Sequence, residues 1–173
     1  MQDINILKNS YLIIGGPCSK KSEVSRKIAK LTNYKLINLD REKYSYFEDF
    51  TDFDSSKYYN LKEKDEMLSL KYIHKYEMKH LNYVLDNISS EVVIDFGNTY
   101  LIINDENILN KLKLFSNIIL LENNNYKSNN KLDKLLYKNK ILSIATIKIN
   151  INDDSVDDIV EKIENKIKFK DIL

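Results

Sequence analysis

Gly15-Gly16-Pro17-Cys18-Ser19-Lys20-Lys21-Ser22 is the strongest structural signal in this chain. The chain has three glycines and one proline in 173 residues, and most of them stand together here, which marks a loop whose backbone shape matters. The apolar run at residues 11–14 is typical of a buried strand. Apolar residues recur at helical spacing after the loop, at Val24, Ile28 and Leu31. The sequence therefore predicts a strand, a tight loop and a helix in succession.

A loop between a buried strand and the start of a helix can bind anionic oxygens, because its N–H groups and the helix dipole attract negative charge. The segment matches the phosphate-binding motif G-x-x-x-x-G-K-S/T at Gly15, Lys21 and Ser22, but Lys20 replaces the second glycine. In that motif the lysine reaches the β- and γ-phosphates and the hydroxyl binds Mg²⁺. We therefore predict that ATP and Mg²⁺ bind here, in contact with Gly15, Gly16, Pro17, Cys18, Ser19, Lys20, Lys21 and Ser22. The alternative is a strand–helix turn that is merely rich in lysine.

The rest of the chain alternates apolar strands with amphipathic helices. Further strands are predicted at residues 35–40, 91–95, 117–121 and 145–151, and helices at 62–88, 108–115 and 156–167. Ser155 or Asp154 is expected to cap the last helix. Apolar strands that alternate with helices predict a parallel sheet flanked by helices on both faces. The expected fold is α/β, a single three-layer domain over residues 1–173 of the P-loop nucleoside triphosphate hydrolase kind.

Composition narrows the classes of function. The chain is 43% hydrophobic and 31% charged, an ordinary soluble balance, and a net charge of +1 gives no field that recruits nucleic acid or an anionic membrane. The single cysteine, Cys18, excludes an internal disulfide framework and fits a reducing compartment. No apolar run approaches the ~20 residues that span a bilayer, and the N-terminus lacks the pattern of a signal peptide. A cytoplasmic protein without a nucleic-acid or membrane partner is expected.

The third predicted strand ends in Asp95, an acid at the carboxyl edge of the expected sheet. In nucleotide-binding proteins with a phosphate loop, an acid at this place holds the Mg²⁺. We predict that Asp95 orders water on the metal and that Ser22 binds the metal directly. A solvated acid at the end of a strand is the alternative.

Over nearly its whole length the chain resembles the shikimate kinase family and related small P-loop kinases in the order and spacing of its elements. That family carries G-x-x-G-x-G-K-S/T after the first strand, where Cys18 and Lys20 replace glycines here. Its second strand ends in Asp-x-Asp, which is Asn38-Leu39-Asp40 in this chain. Its substrate helix carries Phe-Arg-x-x-Glu, of which the segment Ile73-His74-Lys75-Tyr76-Glu77 keeps the glutamate. Its third strand runs into three glycines, in place of which stand Gly97-Asn98-Thr99.

The resemblance implies a small-molecule kinase that transfers the γ-phosphoryl group of ATP to a hydroxyl acceptor. It implies catalytic roles for Lys21, Asp40 and Asp95, with Asp40 orienting or deprotonating the acceptor. The acceptor is expected to contact the region of about residues 41–80 and the third strand's end, through Asp40, His74, Glu77 and Gly97. The departures from the family fall on the residues that grip shikimate, so shikimate itself is not expected to be the substrate.

The family's lid supplies an arginine to the transferring phosphate. This chain has no arginine beyond Arg41, so Lys138 or Lys140, in a lid of about residues 122–140, would have to replace it. Lysine is not equivalent, because only a guanidinium grips phosphate in a bidentate manner. Lys20 either strains the loop, if its φ is positive, or supplies the positive charge that the lid lacks.

A second class of function is a nucleotide-binding scaffold or regulator that has lost catalysis. Lys20, Asn38 and the arginine-free lid favour it, and Glu23 adds a negative charge close to the bound phosphates. A nucleic-acid-modifying kinase is disfavoured by the near-neutral charge and the lack of a basic stripe. The aromatic run either lines the acceptor pocket or covers the sheet edge; it comprises Tyr44, Tyr46, Phe47, Phe50, Phe53, Tyr58 and Tyr59.

Overall fold

The structure is a computed structural model that describes residues 7–101, 103, 105–123 and 140–170. Its elements in chain order are β1 (Leu7–Gly15), α1 (Lys21–Thr32), β2 (Lys35–Asn38), α2 (Leu39–Phe47), α3 (Ser55–Lys64), α4 (Glu66–Asn87), β3 (Val92–Asp95), α5 (Glu106–Leu112), β4 (Phe115–Asn123), β5 (Ile147–Ile151) and α6 (Val156–Lys170). Short 3₁₀ turns occur at Thr99–Leu101 and Lys140–Ile144. Within these described ranges, no helix is both long and apolar enough to cross a membrane.

The strands form a parallel sheet in the order β2-β3-β1-β4-β5. In its register, Ile13 of β1 lies beside Asp95 of β3 on one side and Ile119 of β4 on the other. Asn38, at the end of β2, also lies beside Asp95. Because parallel strands all end at the same edge of a sheet, the loops after β1, β2 and β3 open next to one another. The predicted parallel α/β fold is confirmed.

Helices cover both faces of the sheet, as the alternation of strands and helices predicts. On one face, Leu12 of β1 packs in a core with Leu81 of α4 and Leu109 of α5. On the other face, Ile13 packs with Val24 of α1 and with residues of α6. Successive residues of a strand point to opposite faces. Burial on both faces therefore explains why β1 reads as a continuous apolar run rather than an alternating one.

Most of the aromatic run forms a third core instead of a cover for the sheet edge. Phe47, Tyr58, Ile73 and Tyr76 are buried together, with other members of the run packed around them. The Phe53 and Tyr76 rings meet edge to face, with centroids 5.0 Å apart and planes at 78°, a favourable geometry for aromatic pairs. This cluster holds α2 and α3 on α4.

Two predicted boundaries were wrong because polar side chains start helices there. The second strand ends at Asn38 and not at Asp40, since the Asn38 side chain caps α2 by accepting a hydrogen bond of 2.8 Å from the backbone N–H of Arg41. The helix predicted over 62–88 is broken at Asp65, whose carboxylate accepts from two amides of the first turn of α4. The sequence also predicts a short helix around residues 132–137, which lie outside the described residues.

Of the two residues predicted to cap the last helix, Ser155 and Asp154, Ser155 makes the capping hydrogen bonds. Its Oγ accepts a hydrogen bond of 3.2 Å from the backbone N–H of Asp158, and the Asp158 carboxylate accepts one of 2.9 Å from the N–H of Ser155. Two backbone donors at the start of α6 are thus satisfied reciprocally, as in a capping box. Residues 152–155 between β5 and α6 thereby acquire a defined shape.

His80 links the aromatic cluster to the main core. It is buried, and its Nδ1 lies 2.6 Å from the hydroxyl of Tyr100. Burial, with a smaller contribution from the charge of Lys43, lowers the pKa of His80 from 6.5 to about 4. Because the unfolded chain takes up this proton more readily, the contribution of His80 to stability is complete above about pH 6.5 and is lost as the pH falls towards 4.

We expect His80 to cost the fold up to about 3 kcal/mol of unfolding free energy between pH 6.5 and pH 4. In the His80→Gln variant, a neutral amide oxygen can still accept the Tyr100 hydrogen bond, so the loss of stability over this range should be smaller. Urea unfolding at several pH values measures it. His74→Gln, at the chain's other histidine, is the control and should keep the parent's slope. Equal slopes in the parent and His80→Gln would contradict the assignment.

Candidate active site

The loop between β1 and α1 lines a cavity of about 470 Å³. The cavity residues are Gly16, Pro17, Cys18, Ser19, Lys20, Lys21, Ser22, Glu23 and Asn98. Gly15 of the predicted segment lies behind them: a Cβ on Gly15 would stand 2.7 Å from Ser19 Oγ and 2.8 Å from the carbonyl oxygen of Leu121. Glycine is required at this position by close packing, because the loop and β4 leave no room for a side chain.

Several polar groups at this cavity have no hydrogen-bond partner in the part of the chain that the structure describes. The Oγ of Ser19 and the Oδ1 of Asn98 are buried and unpaired. Helix α1 also begins without a side-chain cap, since its N-cap residue is Lys20, which leaves N–H groups of its first turn available. Buried polar groups are normally satisfied. The free N–H groups at the start of α1 and the Ser19 hydroxyl could donate to the oxygens of a nucleotide's phosphates. The side-chain oxygen of Asn98 could accept from water around Mg²⁺.

The loop is held in a strained shape. Cys18 and Lys20 have positive φ values of 58° and 54°, in the left-handed region that costs a residue with a Cβ roughly 1–2 kcal/mol. Two contacts from other elements oppose this strain: Asn123 Nδ2 donates to the Cys18 carbonyl oxygen at 3.0 Å, and Lys20 Nζ donates to that of Asp154 at 2.6 Å. The ammonium of Lys20 is thus bound to the segment between β5 and α6.

Lys21 and Asp95 meet behind the cavity. Both side chains are buried, and Lys21 Nζ lies 3.5 Å from Asp95 Oδ1, which is an ion pair without a hydrogen bond. The other oxygen of Asp95 accepts a hydrogen bond from the side-chain amide of Asn38. An aspartate at position 38, as in the family that the chain resembles, would place a second carboxylate there and repel Asp95. Asn38 therefore orients Asp95 without adding charge.

Asp40 lies on the first turn of α2. It packs against Gly97, where a Cβ would collide with both oxygens of the Asp40 carboxylate. Lys43 Nζ donates to Asp40 Oδ1 at 3.1 Å, to Glu77 Oε1 at 2.9 Å and to Thr99 Oγ1 at 3.3 Å. The structure thus brings together three of the four residues predicted to contact an acceptor, Asp40, Glu77 and Gly97.

The remaining predicted residues are placed differently. His74 lies one turn before Glu77 on α4 and is partly exposed, and its ring makes no hydrogen bond with the described residues. Lys140 Nζ pairs with Glu106 Oε1 at 2.6 Å on the surface, so its charge is already engaged. Lys138 and most of the predicted lid lie outside the described residues.

Lys43 was not predicted as a site residue, and Asn98 and Thr99 were identified only as replacements of the family's glycines. Lys43 follows Asp40 by three residues, which puts both on one face of a helix. A strand that runs to Asp40, as the sequence predicts, does not place Lys43 beside Asp40, because residues three apart on a strand point to opposite faces. The approach of Glu77, 34 residues further along, has no local signal in the sequence.

No family model matches the chain, and no curated protein matches its sequence. Solved structures do match it. The shikimate kinase of Aquifex aeolicus is 19% identical with a TM-score of 0.61, over 92% of this chain and 96% of that one. The shikimate kinase of Acinetobacter baumannii, solved in complex with shikimate, is 17% identical with a TM-score of 0.66, over 96% of each chain. A gluconokinase of Sinorhizobium meliloti is 13% identical with a TM-score of 0.50, over 95% of this chain and 98% of that one.

Likeness at this level of identity concerns the fold. Together with the parallel sheet and the loop after β1, it shows that the chain has the fold of shikimate kinases and other small P-loop kinases.

Replacing Lys20 with glycine tests what the lysine does. Glycine adopts positive φ without strain and removes a side chain from the cavity rim, so we expect Lys20→Gly to bind ADP or ATP with Mg²⁺ more tightly than the parent, measured by calorimetry. Lys20→Ala is the matched control, because it removes the ammonium but keeps the Cβ. If the ammonium helps to hold phosphate, both variants will bind less tightly, and the strain interpretation is wrong.

Proposed function

We propose that this protein is an ATP-dependent phosphotransferase that moves the γ-phosphoryl group of ATP to a hydroxyl group of a small molecule. The observation that carries the proposal is the meeting of three predicted residues at one sheet edge. Lys21 and Asp95 form a buried pair behind the phosphate cavity, and Asp40 packs on Gly97, just after Asp95 in the chain. Lys21, which would bind phosphate, and Asp40, which would face the acceptor, therefore lie at the same edge of the sheet.

On the phosphate side, the residues present suit binding and charge neutralisation, which supply most of the catalysis in phosphoryl transfer. Lys21 would exchange its long contact with Asp95 for charge-assisted hydrogen bonds to phosphate oxygens, which are the stronger kind. Ser22 and Asp95 would hold Mg²⁺, Asp95 through water. When bound, Mg²⁺ would neutralise the charge on the terminal phosphates.

On the acceptor side, Asp40 is the group placed to handle a proton. Its side chain is 46% exposed, and its Oδ2 accepts no hydrogen bond from the described residues. This oxygen would accept the hydrogen bond of the acceptor's hydroxyl and would orient that group or take its proton during transfer. Oδ1 stays on Lys43 meanwhile.

A second candidate function is nucleotide binding without transfer. Two observations favour it: the strained loop at Cys18 and Lys20, and the ion pair with Glu106 that already engages the ammonium of Lys140. Both functions require a working phosphate site. They differ in whether ADP is released from MgATP.

We expect Lys21→Ala to lose most of its affinity for MgATP. The parent should gain melting temperature with MgADP and MgATP, because a ligand that binds only the folded state stabilises it. The variant should gain little. Lys30→Ala, at an exposed lysine of the same helix, is the control and should respond like the parent. Equal shifts in Lys21→Ala and the parent would contradict the assignment of Lys21. ADP release by the parent separates the two candidate functions.

Shikimate should not be phosphorylated at an appreciable rate. His74 and Thr99 stand where the family has an arginine and a glycine. The Glu77 carboxylate already accepts a hydrogen bond from Lys43. A coupled assay for shikimate-dependent ADP release measures this directly. Turnover at ordinary kinase rates, on the order of 1–100 per second, would show that the acceptor site is that of a shikimate kinase.

A further inference from the structure

We propose that Lys43 is the positioning and specificity-determining residue of the acceptor site, and that the acceptor is an uncharged polyhydroxy compound and not a hydroxy acid. The inference rests on the proposed function and names its substrate class. It follows from the hydrogen bonds that already engage the Lys43 ammonium and from the net negative charge of the residues around it.

The ammonium of Lys43 has no hydrogen-bonding capacity left for a ligand. A lysine has three N–H donors, and those of Lys43 face Asp40, Glu77 and Thr99 at 3.1, 2.9 and 3.3 Å. Thr99 in turn donates to Glu77 Oε1 at 2.5 Å. The Lys43 side chain is 7% exposed and that of Glu77 is 1% exposed. A carboxylate on the acceptor would have to displace one of these three partners to reach this cation.

The ammonium of Lys43 keeps its charge in this cluster. Burial disfavours the ammonium, but the ion pairs with Glu77 and Asp40 outweigh burial and raise the pKa of Lys43 above its ordinary value. The rings of Tyr44 and Tyr100 also lie near the ammonium, with centroids at 5.4 and 5.6 Å. Lys43 is therefore a permanent cation at any physiological pH.

The two carboxylates outnumber this cation. Asp40 and Glu77 with Lys43 leave a net charge of −1, and the neighbouring pair of Lys21 and Asp95 is neutral overall. An acidic acceptor would meet this negative charge, since neither arginine of the chain, Arg26 or Arg41, forms an ion pair with these carboxylates among the described residues. An uncharged polyol meets no such repulsion and can donate a hydroxyl to Asp40.

Lys43 also fixes the carboxylate that would receive that hydroxyl. Gly97 leaves space for the Asp40 side chain, and Lys43 then holds Oδ1. Asp40 is thus restrained with Oδ2 as its available oxygen. Loss of this restraint should lower the rate of transfer more than the binding of the acceptor, because positioning matters most in the transition state.

The test compares polyols with the acids of the same carbon chain. The pairs are glycerol with glycerate, erythritol with erythronate, and glucitol with gluconate, and the readout is stimulation of ADP release from MgATP. Three proteins are used: the parent, Glu77→Gln, and Lys43→Met combined with Glu77→Gln. The double variant avoids leaving Glu77 charged and unpaired in the interior, which would endanger folding.

The net charge of the cluster is −1 in the parent, 0 in Glu77→Gln and −1 in the double variant. In the parent, at least one polyol should stimulate ADP release with a kcat/KM well above that of its acid. In Glu77→Gln that preference should fall on the order of tenfold to a hundredfold, as expected for one charge at short range. In the double variant the preference should return, but kcat should fall with little change in KM, because Asp40 is no longer held.

Three results would overturn the proposal: preference for the acids, a preference unchanged in Glu77→Gln, or no stimulation by any polyol although MgATP binds. A double variant with the parent's kcat would refute the positioning role of Lys43. Absence of MgATP binding, measured by melting temperature on the same samples, would refute the proposed function and the acceptor class with it.

Discussion

The buried pair of Lys21 and Asp95 is the interaction on which the whole candidate site depends. Lys21 begins α1 and Asp95 ends β3, so the pair joins the phosphate loop to the neighbouring strand. It exists because β1 and β3 are adjacent in the sheet, with Ile13 beside Asp95. Breaking such a pair on one side would leave a buried charge, at a cost of about 3–5 kcal/mol. The fold therefore fixes both charges in place before any ligand arrives.

Further polar contacts connect this pair to α2 and α4 along the same edge of the sheet. Asn38 satisfies the second oxygen of Asp95 and at the same time caps α2, and this cap sets where Asp40 and Lys43 lie. Lys43 then binds Glu77 on α4. Two sets of opposite charges result, one behind the cavity after β1 and one beside Gly97. Each compensates most of its own charge, which is how a small domain can bury several ionised groups at one edge.

Much of this arrangement follows from local sequence. The loop from Gly15 to Ser22, the apolar strands and the order of elements specify the parallel sheet, and the acid ending the third strand lies where the pattern predicts. Positive φ at Lys20 follows from the glycine usually found there. The left-handed cap of α1 is thus readable from the motif, although the Lys20 contact with Asp154 is not, because those residues are 134 positions apart.

The acceptor side was less predictable, for physical reasons. Whether Asp40 ends a strand or begins a helix depends on a single capping hydrogen bond, which the Asn38 side chain accepts from the N–H of Arg41. Only the helical choice puts Lys43 beside Asp40. The role of the aromatic run depended on tertiary packing, since Phe47 and Tyr76 find each other across two helices. Pattern alone assigns such residues to a surface as easily as to a core.

We propose that the cavity after β1 binds a nucleoside triphosphate, with Mg²⁺ held at Ser22 and Asp95. Calorimetric titration of the unmodified protein with ATP, once with Mg²⁺ and once with EDTA, tests it most directly. Saturable binding of one ATP per chain is predicted, tighter with Mg²⁺ than without. No binding at millimolar ATP, or an affinity indifferent to Mg²⁺, would contradict it.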